Sequence, residues 1–273
     1  MDAALTERST RVVSFAKLHR AGERRDRREF LVEGANSVRA ALDSNVARTL
    51  LVREDEQSRH TMILDDARAS GVEILTVTAR AADKMADTST SPGIFAVCDL
   101  LDASLEQIID AADARATIAV GVDIADPGNA GTLIRTADAM GCAGVVLVGA
   151  AAVDPHNGKA VRASAGSVFH IPVARRADAV EVIGVLRSAG FAVLATAADG
   201  ELSLDDADTV LSGRATWLFG NEAHGLSDEV LATADHRVSI PIRGRAESLN
   251  IAAAAAMCLY SSARAQHSGP RAR

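Results

Sequence analysis

Five short runs in the second half of this 273-residue chain constrain the fold most: 117–122 (TIAVGV), 145–148 (VVLV), 191–196 (FAVLAT), 216–219 (TWLF) and 237–240 (RVSI). They are near-continuously apolar rather than alternating. A strand apolar on both sides is buried on both faces, the pattern of a parallel sheet sandwiched between helices. Helical segments at 129–140 and 178–189, and a short strand near 170–173, fit that rhythm. The second half therefore reads as α/β with a mostly parallel sheet.

The first half has its own alternation. Strands are expected at 30–32, 49–52, 72–77 and 93–98, with helices at 35–42, 57–70 and 79–85, which makes a small α/β domain. Residues 99–115 are acidic and Ala-rich without a clear β pattern, and read as a linker or a bridging helix. The expected division is a first domain over 1–100, a linker over 101–116 and a second domain over 117–273. Residues 8–29 are predicted helical and crowd Arg11, Lys17, Arg20, Arg24, Arg25, Arg27 and Arg28 against few acids. Two readings stand for that cluster: a solvated helix face or a phosphate-contacting patch.

Composition limits what the domains can hold. Hydrophobic residues make up 48% and aromatics only 3%, so the core must be aliphatic and Ala-rich. The formal net charge of −7 argues against a uniformly basic coat and leaves room for a local basic patch. Three scattered cysteines without a CxxC, and seven histidines without ligand spacing, give no metal site. The apolar runs are too short to span a bilayer, and the N-terminus lacks a secretory segment. A cytoplasmic protein is expected.

Polar residues gather after three of the predicted strands, at 126–135, 220–225 and 241–250. Ligands of open α/β sheets bind at strand carboxyl ends, so three such loops point to one convergent pocket. There is no G-x-x-x-x-G-K-[ST], no G-x-G-x-x-G after a strand and no G-x-S-x-G elbow. The last of the three loops follows Pro241 and carries Arg243-Gly-Arg245-Ala-Glu247. It precedes an Ala-rich helix for which Ser248 is the expected N-cap, as Asn129 is for the helix after 126–128.

These loops match a family. Asp126-Pro-Gly-Asn-Ala-Gly-Thr-Leu-Ile-Arg135-Thr-Ala resembles the first motif of the SpoU/TrmH family of RNA ribose 2′-O-methyltransferases. Leu218-Phe-Gly-Asn-Glu222-Ala-His-Gly225-Leu resembles the second, and Ile240-Pro-Ile-Arg-Gly-Arg-Ala-Glu-Ser248-Leu-Asn250-Ile the third. Order and spacing both fit, over roughly residues 117–263. Phe30-Leu-Val-Glu-Gly resembles the opening of the family's N-terminal substrate-binding domain. The departures are small: Asp126 stands for a common Asn, Ile242 for a common Met, and Ile251-Ala252 for the usual Val-Ser.

The resemblance implies a SPOUT fold with a C-terminal trefoil knot, S-adenosyl-L-methionine bound in the knot, and a homodimer. It implies that backbone around Thr196, Gly220, Ile240 and Leu249 holds the adenosyl moiety. It assigns Arg135 to catalysis, with Asn129 and Glu222 orienting it and Ser248 and Asn250 positioning substrate. A guanidinium titrates above about 12, which makes Arg135 a poor literal base and a good stabiliser of a developing alkoxide or an adjacent phosphate. Arg162, in Lys159-Ala-Val-Arg162-Ala-Ser164, is either a surface arginine or a phosphate contact across a dimer. Arg24, Arg25, Arg27 and Arg28 become the expected RNA-binding residues. The implied function is S-adenosylmethionine-dependent 2′-O-methylation of RNA, foremost 23S ribosomal RNA. The alternatives are a transfer RNA enzyme and a non-catalytic RNA-binding or ribosome-assembly protein. Neither metal nor membrane is implied.

Overall fold

The computed structural model describes residues 3–221 and 223–267. The chain forms two compact units, residues 1–101 with Asp154–His170, and Asp102–Val153 with Ile171–Arg273.

The first unit opens with helices α1 (Thr10–Ala16) and α2 (Ala21–Arg27). The helix expected over 8–29 is broken at Arg20, whose extended backbone separates the two. Then come β1 (Glu29–Glu33), α3 (Ala35–Asp43), β2 (Ala47–Arg53), α4 (Thr61–Ala69), β3 (Glu73–Val77), α5 (Ala79–Met85) and β4 (Ile94–Asp99). The sheet order is β1-β4-β2-β3. Strand β4 is antiparallel to both neighbours, while β2 and β3 run parallel. Ile94, Phe95, Ala96, Val97 and Cys98 are all buried, as a strand covered on both faces must be.

The second unit contains β5 (Asp102–Ala103) and α6 (Leu105–Ala111), so the stretch expected as a linker or a bridging helix carries a short strand and a helix. Ser104 starts α6 with a capping box: its hydroxyl accepts from the Gln107 amide, and the Gln107 side chain accepts from the Ser104 amide. Next are β6 (Thr117–Val122), α7 (Pro127–Ala139) and β7 (Gly144–Val148). Asp126, rather than Asn129, caps α7: its carboxylate accepts from the Asn129 amide at 2.9 Å, and Pro127 occupies the first turn where a missing N–H costs nothing.

After β7 the chain leaves this unit. Asp154–His170, assigned to the second domain on sequence, packs with the first and carries α8 (Gly158–Ser164). Phe169 stacks on Phe30 with ring centroids 6.0 Å apart, and the His156 ring lies 4.8 Å from Phe30. Local pattern cannot show which core a polar stretch joins. The chain returns with β8 (Val173–Arg176), α9 (Ala179–Ser188), β9 (Ala192–Thr196), β10 (Leu202–Ser203), α10 (Asp208–Leu211), β11 (Ala215–Phe219), α11 (Asp228–Ala232), β12 (His236–Ser239) and α12 (Ile251–His267).

The sheet order is β10-β12-β9-β11-β6-β7-β8-β5, and every pairing is parallel. All residues of β6, β7 and β11 are buried, which answers to their unbroken apolar sequence. Trp217 is fully buried, and its indole N–H donates to Ser262 Oγ at 2.8 Å, tying α12 to β11. Among the described residues no helix is long and apolar enough to cross a membrane.

Candidate active site

Two of the three polar loops, those after β11 and β12, meet the end of β9 at the carboxyl edge of the sheet and wall a cavity of about 500 Å³, whereas residues 126–135 contribute nothing to its wall. That volume suits a single small-molecule ligand of ~300–1,000 Å³ site size. From β9 come Thr196, Ala197 and Ala198; from β11 and its turn come Phe219, Gly220, Asn221, Ala223 and Gly225. The remaining wall is Val238, Ile240, Ile242, Glu247, Ser248, Leu249 and Asn250, with Ile251 and Ala254 on α12. Thr196, Gly220, Ile240, Leu249, Ser248 and Asn250, singled out from sequence, thus share one cavity.

Each wall is held by identifiable contacts. The Thr196 hydroxyl donates to the Leu218 carbonyl at 2.9 Å, joining the ends of β9 and β11. Beyond β11 the backbone turns back on itself. Asn221 N–H donates to the Gly225 carbonyl at 3.0 Å, and Gly225 N–H donates to the Asn221 carbonyl at 2.8 Å. Gly225 sits at φ +69°, a conformation side chains resist. A Cβ on Gly220 would collide with the Gly225 and Leu226 backbone. Gly220 is therefore required first by its own turn, whatever else fills the cavity.

Asn221 is a site residue that sequence reasoning passed over. Its side-chain NH₂ donates to the Asp123 carbonyl at 2.8 Å, and its side-chain oxygen accepts from the Ala223 amide at 2.8 Å. It fastens the turn to the end of β6. The available signal was an Asn beginning a short Gly-closed turn, a position where Asn commonly bonds backbone two residues on.

Asn250, and not Ser248, caps α12. Its side-chain oxygen accepts from the Ala252 amide at 2.8 Å, and its carbonyl accepts from Ala254 N–H at 3.0 Å. The helix thus starts two residues later than expected, which leaves Ser248 and Leu249 in the cavity wall. Glu201 anchors β12 from the side: its carboxylate accepts from the Arg237 amide and from the Arg237 guanidinium, each at 3.0 Å. The backbone bond leads the effects that hold this carboxyl below the usual range.

Two expected catalytic residues stand on α7 rather than in the cavity wall. Arg135 is exposed, because the opposite face of α7 buries Ala130, Leu133, Ile134 and Ala137. Asn129 is half-buried in the first turn. Glu222 lies outside the described residues. Burial pushes the Cys142 thiol up to about 12, and raises Cys98 and Cys258 further, so none is a ready nucleophile. Among the described residues no group of three or more His, Cys, Asp or Glu is placed to hold a metal ion.

The arginines expected to bind RNA divide. Arg24 does not fit the expectation: it is 3% exposed and its guanidinium is fully engaged inside the first unit. Nη1 donates to the Leu18 and His19 carbonyls, both at 2.9 Å, and Nε and Nη2 donate to Asp154 at 2.9 and 2.6 Å. A lone buried guanidinium would be very unfavourable, so the residue is internal wiring rather than a phosphate contact. Burial opposes the charge on Asp154, but the hydrogen bond from His156 and the Arg24 charge outweigh it and hold the carboxyl well below the usual range. Arg27 is half-buried, donating to the Ser14 carbonyl and hydroxyl and to Glu29. Arg162 is half-buried and paired with Glu33 and, at 2.8 Å, with Asp87, within the first unit. Arg25 and Arg28 are exposed.

Known proteins share this organisation. Residues 116–260 match the SpoU rRNA methylase family, and residues 9–96 match the MRM3-like substrate binding domain. The 23S rRNA (guanosine(2553)-2′-O)-methyltransferase RlmP of Bacillus subtilis is 34% identical, over 93% of this chain and 96% of that protein. An AdoMet-bound rRNA methyltransferase from Sinorhizobium meliloti superposes with TM-score 0.83 at 31% identity, covering 96% and 97% of the two chains. The SpoU methyltransferase AviRb of Streptomyces viridochromogenes, in complex with AdoMet, gives TM-score 0.84 at 29% identity, covering 96% and 100%. With its second and third motif segments walling one cavity and the match running through all three, the chain belongs to the SpoU rRNA methylase family.

Proposed function

We propose that this protein transfers a methyl group from S-adenosylmethionine to a ribose 2′-hydroxyl of 23S ribosomal RNA. One observation carries the reading: the second and third family motifs, on the loops after β11 and β12, meet the end of β9 around one ligand-sized cavity at the sheet's carboxyl edge. The donor set fits the cofactor. Phe219, Ile240 and Leu249 supply apolar surface for an adenine ring, Gly220 and its turn bring backbone polar groups close, and Glu247 offers a negative charge to a cationic ligand. When bound, the sulfonium supplies an activated methyl group with a good leaving group.

The chain's own residues do the rest. Ser248 and Asn250, on the cavity wall, position the ribose hydroxyl. Arg135, with Asn129 and Glu222 orienting it, stabilises charge on the developing alkoxide or holds the adjoining phosphate. Such preorganised donors act where charge develops, so their effect falls on the rate more than on binding. The trefoil knot belongs to the same proposal. Its support is that α12 returns from β12, past β9, to pack on β11, β6 and α7. A homodimer and a cytoplasmic location are also proposed. Supporting the dimer, α12 exposes Ala253, Ala256, Met257 and Tyr260 at helical spacing, with Met257 46% and Tyr260 58% exposed.

Titration calorimetry with S-adenosylmethionine should give saturable binding. Tritiated methyl transfer to total cellular RNA, followed by mapping of the 2′-O-methyl stop, should label 23S RNA. Label confined to transfer RNA would replace the substrate, and absence of cofactor binding would leave a non-catalytic RNA-binding role.

A further inference from the structure

We propose that Arg243 and Arg245 grip RNA phosphates at the mouth of the cofactor cavity, an assignment that rests on the methyltransferase reading above. Both stand on the loop between β12 and α12, in which every residue from 241 to 248 is exposed. Residues on either side of them, Ile242 and Glu247, line the cavity, whereas the two arginines do not. The loop therefore contributes an acidic residue to the cavity wall, while its two arginines stand outside that wall. This is the charge division that a cationic cofactor beside a polyanionic substrate requires.

The charge of the whole chain strengthens the argument. At net −7 the protein as a whole repels RNA, so attraction has to come from local cations near the reacting ribose. An arginine fork suits a phosphate because it donates two parallel hydrogen bonds. Arg243 meets Asp205 at 3.5 Å, with the side chains 86% and 64% exposed. A solvent-exposed pair at that distance contributes little and exchanges readily. Asp205 serves as a placeholder that a phosphate displaces. Arg245 has no ion pair among the described residues.

The test is filter binding of a 23S rRNA transcript across a salt series, with R243Q/R245Q compared to wild type. The double variant should bind about tenfold more weakly and lose roughly 1.5 from the salt slope, at about 0.7–0.9 per phosphate contact. Its affinity for S-adenosylmethionine should be unchanged, and its transfer defect should lie in KM for RNA rather than in kcat. R243K/R245K should keep most of the slope, because it keeps the charge. Asp205→Asn should tighten RNA binding by about twofold to fivefold, because a competitor is gone. An unchanged slope in R243Q/R245Q, or a parallel fall in cofactor affinity, overturns the assignment. A wild-type protein that fails to bind cofactor or transcript overturns the methyltransferase reading instead.

Discussion

Arg135 is exposed on α7, outside the cavity wall, and that placement sets its expected phenotype. Arg135→Ala should bind S-adenosylmethionine with unchanged affinity in calorimetry and transfer methyl about a hundredfold more slowly. Transfer near the wild-type rate would remove it from the mechanism. Asp154 behaves in the opposite way, as a residue of stability. Removing one partner of a buried ion pair costs about 3–5 kcal/mol, so Asp154→Asn should lower the urea midpoint markedly at neutral pH. The folded carboxyl titrates below its unfolded value of about 3.9. Its contribution is therefore fully present above that value and is lost as pH falls toward the folded one. The gap between wild type and Asp154→Asn should close as pH drops below about 4, and a gap that persists would contradict the pairing.

Among the elements, α12 joins structure to chemistry at a single residue. Asn250 caps the helix and also lines the cavity. Asn250→Ala should cost about 1 kcal/mol of stability, because the first-turn amide loses its acceptor. Asn250→Ser restores an acceptor and should recover the melting temperature. If Asn250 also positions the ribose, Asn250→Ser will still transfer methyl slowly. Recovery of both properties would reduce the residue to a cap. The turn at 220–225 is a second such element. Its glycines and Asn221 fix the cavity wall by backbone bonds, so its shape does not depend on a ligand being present.

For the whole molecule, the consequential feature is that Asp154–His170 leaves one unit to complete the other. An excised fragment of residues 1–101 lacks the Asp154 partner of Arg24, the Arg162 partner of Glu33 and the two rings against Phe30. That fragment should show no cooperative thermal transition by circular dichroism, where the full chain shows one. A cooperative melt of 1–101 alone would show that the segment is dispensable. The basic N-terminal stretch changes meaning at this scale too. Arg24 and Arg27 hold the unit together, which leaves Arg25 and Arg28 as its outward-facing members of the expected set.

The sequence by itself determined the parallel sheet, because apolar runs such as 117–122 and 145–148 have no stable place except between two covering layers. It also marked polar loops after β6, β11 and β12, because polar residues interrupt the apolar pattern there and the motif spacing is local; the cavity takes in the last two together with the end of β9. Tertiary structure decided what depends on residues far apart in the chain. The Arg24–Asp154 pair spans 130 positions, and no periodicity links a basic helix to an acid beyond β7. The helix start at Asn250 rather than Ser248, and the turn that makes Gly220 necessary, were settled by hydrogen bonds and close approaches that exist only once the strands are side by side.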